Sequence, residues 1–232
     1  MAQNVGSASN ILVGASPLFI SNVDNSSTDY KDALPGAASS NDEPGRVAFE
    51  TSKSYIDTLN AIDQEADTMG FRNVGFTNNG LQITYNPTYE NVTVDQLLDS
   101  AKVFKSAMEV MIATEMSEGT LENVLVVFGQ SGDTLARTDA SNATLGLAAG
   151  ALGQSPIERQ LIAVGRAPQA VGEHAERVYY ARRVLSVQQS QFSLARNTPT
   201  TFPVTFRLLP SGKTKDAGLE YGVIIDRTWT PA

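Results

Sequence analysis

The chain has 232 residues, 41% of them hydrophobic, and no cysteine, which suffices for a packed core and excludes both a disulfide framework and a thiolate metal site. Its formal charge of −8 excludes a surface that grips nucleic acid, because phosphate affinity needs clustered Lys and Arg. Met1 to Gly14 holds no basic n-region and no long apolar run, so neither a secretory leader nor a membrane span is expected there.

In chain order, Ile11 to Ile20 is moderately apolar and breaks into Ser21 to Gly45, whose Asn, Ser, Asp, Gly and Pro predict a long loop. Much of the negative charge sits there and just beyond, including Asp24, Asp29, Asp32, Asp42 and Glu43. Tyr55, Leu59, Ile62 and Ala66 fall at helical spacing. Asn79-Gly80 predicts a hairpin turn, because a type I′ turn needs positive φ at both central residues; Val74 and Phe76 precede it and Leu81, Ile83 and Tyr85 alternate after it. Asp95 to Met116 fits two patterns: Leu97, Ala101, Phe104, Met108, Met111 and Ile112 suit a helix, while Met108, Val110, Ile112 and Met116 alternate as in a strand.

Leu121, Val124, Leu125 and Phe128 occupy i, i+3, i+4 and i+7, so a short amphipathic helix is predicted from Thr120 as N-cap to Phe128, with Gly129 as its stop. Ser131 to Ser155 is rich in small and polar residues and reads as an excursion from the core. Strands are predicted over Ile157 to Val164, Arg177 to Val187, Thr201 to Leu209 and Glu220 to Trp229. Phe202, Val204, Phe206 and Leu208 share one face of the third, and Tyr221, Val223, Ile225 and Trp229 one face of the fourth. Strands with little helix between them indicate an antiparallel sheet. The expected fold class is mainly β, with one domain over 1–232 and loop excursions at about 21–70 and 131–155.

No catalytic set emerges. The single histidine, His174, lies in a polar linker, and Gly129-Gln130-Ser131-Gly132 has the wrong spacing for a nucleophile elbow. Ser211-Gly212-Lys213-Thr214 lacks the glycine that a phosphate loop requires where Arg207 stands, and Gly146, Gly150 and Gly153 form only a loose cluster. Glu173 and Glu176 read as a solvated acidic pair. The expectation is therefore a non-enzyme without cofactor or metal. Arg182 and Arg183, beside Tyr179 and Tyr180, are expected to pair with acids such as Glu158 or Glu220, across strands or across a subunit interface, where Arg and Tyr are enriched.

Several segments, taken in order, resemble the major tail tube protein of long-tailed bacteriophages, especially the non-contractile kind. They are Val74 to Gly80 leading into Leu81 to Tyr85, then ENVTVDQLLD at Glu90 to Asp99, then Leu121 to Leu125 within TLENVLVVFG. Ala163 to Pro168, VYYARRVLSV, FPVTFRLLP and YGVIIDRT continue the similarity, which covers roughly Phe71 to Trp229. The resemblance implies a β-sandwich or open barrel with one flanking helix, and a strand rather than a helix from about Ser106 to Met116. It also implies a structural virion protein: hexameric rings stacked into a hollow tube, made in the host cytoplasm, through which DNA passes without specific binding. Implied partners are further copies of the chain, the tape-measure protein, the tail terminator and distal tail proteins, and no membrane. Six copies at −8 carry −48 per ring, a charge that would repel DNA rather than retain it.

On that basis the loop acids Asp24, Asp29, Asp32, Asp42 and Glu43, together with Arg182, Arg183, Phe202, Phe206, Tyr221 and Trp229, are the candidate residues for contacts between subunits. The alternatives are another tail or neck component, the tube subunit of a contractile injection system and, from a different class, a carbohydrate-binding β-sandwich.

Overall fold

In the computed structural model of the chain, the described residues are 12, 14, 16–22, 49–63, 71–93, 95, 99–138, 142–168, 171–187, 191–194, 196–197, 199–211 and 218–231. They form β1 (Leu18–Ser21), α1 (Tyr55–Asp63), β2 (Phe71–Asn73), β3 (Thr77–Val92), β4 (Lys102–Met116), α2 (Leu121–Val127), β5 (Leu135–Arg137), β6 (Ala143–Leu145), β7 (Arg159–Arg166), β8 (Ala175–Ser186), β9 (Phe202–Leu208) and β10 (Gly222–Thr228). The protein is mainly β, as its alternating apolar pattern predicts.

Eight strands make one antiparallel sheet in the order β2-β1-β7-β8-β9-β4-β3, with β10 also paired to β8. The four C-terminal strands lie where alternation places them. One edge of β8 pairs with β7 along its length, while β10 and β9 share the other edge: β10 lies against Ala175 to Ala181, and β9 against Val184 to Ser186. β9 and β10 are thus two collinear pieces of a broken strand. The break is held at Gly222 (φ 145°), where a Cβ would fall 1.9 Å from the Tyr180 carbonyl oxygen.

Successive residues point to opposite faces, so each strand feeds two cores. Leu18, Ile20, Leu161, Ala163, Ala181, Val184, Phe202, Val204, Phe206 and Leu208 meet Val110, Ile112 and Met116 of β4 in the main core, which Leu125, Val126 and Val127 of α2 complete. Phe19, Ile162, Val164, Val178 and Tyr180 on the other face are covered by Tyr55 and Leu59 of α1 and by Phe71. The excursion at 21–70 thus contains a helix that packs on the second face over β1, β7 and β8, and that at 131–155 contains the β5–β6 ribbon packed against α2. Ala66 lies outside the described residues. Tyr221 joins the main core, whereas Val223 and Ile225 pack on the second, because the chain bends into β10 at Gly222.

α2 has the predicted ends. Thr120 is its N-cap (φ −69°, ψ 149°), its side chain accepting from the Asn123 N–H, and Gly129 follows the C-cap Phe128 at φ 62°. Fully buried Asn123 ties the helix to the sheet: its Oδ1 accepts from Arg72 Nη1 at 2.6 Å, and its Nδ2 donates to the Val74 and Glu118 carbonyls at 2.9 Å.

Two expectations about β3 and β4 meet different outcomes. Lys102–Met116 is a strand, buried at every second residue from Val110 to Met116. Asn79-Gly80, in contrast, is not a hairpin turn. Both residues have the positive φ that was expected (60° and 65°), yet β3 runs through them, and the ladder to β4 skips from Asn78↔Glu115 to Gln82↔Ala113. The same left-handed geometry serves a bulge, closed by a hydrogen bond from Thr114 Oγ1 to the Gly80 carbonyl at 2.9 Å.

Candidate assembly surface

Past the bulge, β3 and β4 continue as a ribbon that outruns its neighbours. β9 pairs with β4 only from Met111 to Met116, while β3 stays paired from Gln82↔Ala113 outward to Val92↔Lys102. Residues directly opposite in an antiparallel pair share a face. One face therefore carries Ile83 with Ile112, Tyr85 with Val110, Pro87 with Met108, Tyr89 with Lys105, and Asn91 with Val103. Ile112 and Val110 are in the main core, but Ile83, Tyr85, Tyr89 and Val103 are 44%, 64%, 59% and 58% exposed. The other face carries Gln82, Thr84, Asn86, Thr88 and Glu90 along β3. Pro87 fits because β3 is the last strand in the order, with an edge that has no partner strand among the described residues. Lys105 lies over the Tyr85 ring, 5.7 Å from its centroid, and covers part of the stripe.

The stripe runs at its base into an apolar cleft of about 320 Å³, lined by Ile83, Tyr85, Val110, Tyr179, Tyr221 and Ile224 among others. The cleft opens where β4 has run past β9 and where β10, among the described residues, pairs with β8 alone.

Several charged groups are paired within the chain. Arg183 holds Glu158 in a two-point pair (Nε–Oε2 2.6 Å, Nη2–Oε1 2.7 Å) and donates to the Pro210 carbonyl, while buried Arg182 donates from Nε to the Leu219 carbonyl at 2.9 Å. Arg177 grips Asp226 at 2.5 and 2.6 Å; that hydrogen-bonded pair raises the guanidinium's pKa and holds the Asp226 carboxyl below the ordinary carboxylate range. Glu176 is not solvated: it is 6% exposed, accepts the Tyr55 N–H at 2.8 Å and lies 3.3 Å from Arg227 Nη1, which is not aligned to donate. Burial pushes the Glu176 carboxyl up from its ordinary value, against the Tyr55 N–H and Arg227. Burial likewise pushes the Tyr55 phenol far up. Arg227 donates to the Glu50 and Lys53 carbonyls and stacks on Phe49, so this buried set pins the segment leading into α1.

Of the expected contact residues, Phe202 and Phe206 are 6% and 2% exposed in the main core and have no surface to offer a second chain. Trp229 lies against His174, with ring centroids 4.9 Å apart, and Tyr221 lines the cleft. Asp24, Asp29, Asp32, Asp42 and Glu43 lie outside the described residues. Sequence reasoning missed the ribbon because it placed a hairpin turn at Asn79-Gly80 and took the strand after it only as far as Tyr85. The signal was present: alternation continues through Tyr89, and Val103 lies opposite.

Among the described residues no cluster of three or more His, Asp or Glu could hold a metal ion, and no helix is long and apolar enough to cross a membrane. No protein-family model matches the chain, and no curated protein matches it in sequence.

Proposed function

We propose that the chain is a self-assembling structural subunit of a phage tail tube, forming hexameric rings that stack into a hollow conduit for DNA. The β3–β4 ribbon, with its exposed apolar stripe, carries this reading. Its apolar stripe is continuous with the core yet lies open in a single chain, and burying a large apolar side chain contributes about 1.5–3 kcal/mol. A stripe of that kind marks an interaction site. The edges of β3 and β2, which have no partner strand among the described residues, support the same reading, because pairing with a neighbour removes the hazard of open strands. The net charge of −8 suits a wall past which DNA slides.

Negative-stain microscopy and light scattering of the purified protein across a concentration series test the proposal. Long hollow polymers are expected. Isolated rings would reassign the chain to a neck or connector role, and monomers at every concentration would overturn self-assembly.

A further inference from the structure

The loop between β6 and β7 is the most solvent-exposed apolar segment among the described residues. Leu152 is 109% and Leu147 72% exposed, and the loop sequence from Gly146 to Gln154, GLAAGALGQ, has no charged residue. It is nonetheless anchored. Gln130 donates from Nε2 to the Ala148 carbonyl and accepts the Ala148 N–H, both at 3.3 Å; the Gly146 N–H reaches the Thr134 carbonyl at 2.8 Å, and Gln154 Oε1 accepts the Ala151 N–H at 2.9 Å. A loop held at so many points while presenting two leucines to water is a preformed knob.

The knob is anchored near the Ser186 end of β8, whereas the apolar cleft centres on Tyr179 to Ala181 and reaches back as far as Leu208. Gln130 follows α2, and α2 ends against β8 at Ser186, whose hydroxyl donates to the Val127 carbonyl at 3.0 Å. The cleft takes in Tyr179 to Ala181 of the same strand. Ser186 lies six residue steps along β8 from Tyr180, about 20 Å of extended chain. The anchors at Gln130 and Thr134 hold the loop away from Tyr179 to Ala181 of its own copy. The loop of a second copy can fill the cleft, and that copy's own cleft then remains free for a third.

We propose that Leu147 and Leu152 of one copy seat in the cleft of the next, giving a head-to-tail contact that propagates along the strand direction. Such a contact is heterologous, so it builds rings or open stacks rather than closed dimers. The chemistry of the two sides matches: the knob brings two leucines, and the lining residues Ile83, Tyr85, Val110, Tyr179, Tyr221 and Ile224 bring no charge. The cleft is also continuous with the exposed stripe of the ribbon, so a seated knob extends one interface rather than opening another. This inference rests on the self-assembly reading and names the surfaces it uses.

The absence of native cysteine makes a crosslinking test clean. A Leu152→Cys/Ile224→Cys double variant is oxidised under assembling conditions and run on a non-reducing gel. The expected result is a ladder of dimers, trimers and higher species. Equimolar Leu152→Cys and Ile224→Cys single variants should stop at the dimer, and a control pair, Leu194→Cys/Ile224→Cys, should give no ladder. In parallel, Leu152→Asp should raise the concentration needed for assembly about tenfold or more at an unchanged melting temperature. Polymers visible by microscopy with no ladder from the double variant, or normal assembly of Leu152→Asp, would overturn the knob-and-cleft contact and leave self-assembly standing. Wild-type protein that never associates would overturn both.

Discussion

Burial of Glu176 and Arg227 beneath the segment leading into α1 sets the electrostatics of the second core. The Glu176 pKa is raised in the folded chain, so the neutral carboxyl is the form that folding favours. The stability linked to this group is complete below the ordinary carboxylate pKa and is lost as pH rises through the elevated one. Replacing Glu176 with Gln should flatten that slope, which urea melts between about pH 4 and pH 7 would resolve. Removing Arg227 strands the carboxylate and frees the Glu50 and Lys53 carbonyls. Arg227→Leu is expected to cost about 3 kcal/mol at neutral pH and less near pH 4, where Glu176 takes up a proton. An equal cost at both pH values would show that Arg227 acts by packing alone. Asp226 titrates in the opposite sense: its pKa is lowered by Arg177, so its contribution is present above the ordinary carboxylate pKa and is lost on acidification.

Among the elements, α2 shows how a short helix is fixed from both directions. Seven residues form a marginal helix on propensity alone; Thr120 caps this one, and Asn123, Leu125, Val126 and Val127 are buried around it. Asn123 adds three bonds to Arg72, Val74 and Glu118 that no periodicity reveals, since a buried Asn and an exposed one look alike in a sequence. Asn123→Ala leaves buried polar groups without partners and should destabilise the protein by about 3 kcal/mol in urea melts, well beyond the ~1 kcal/mol typical of a lost cap. A loss no larger than a cap's would mean that water replaces the amide. β3 carries the complementary lesson. Asn79-Gly80 did dictate its backbone angles, but whether two left-handed residues turn the chain back or merely bulge it depends on the partner strand, and here β4 extends past them.

At the scale of the whole molecule, the sheet is finished on the inside and unfinished at the ribbon. Tyr89 and Val103 are more than half exposed, so Tyr89→Asp with Val103→Asp should leave the melting temperature within about 2 °C of wild type. Assembly should nonetheless fail in light scattering and microscopy. A variant that assembles normally would show that the stripe is not a contact surface.

The sequence by itself determined the mainly β class, the four C-terminal strands and the ends of α2, because alternation and a Thr cap are local signals; the buried side of α2 is not the expected stripe, since Phe128 is exposed and Val126 and Val127 are buried. It also anticipated the Arg183–Glu158 pair, since opposite charges on neighbouring strands find each other across a ladder. Only the tertiary structure decided that Phe202 and Phe206 face inward while Tyr85 and Tyr89 face water, that α1 covers the second face, and that Glu176 is buried. An alternating strand states which residues share a face and never which face is covered. That depends on where the neighbouring strand ends, and β9 stops alongside Met111 while β4 goes on.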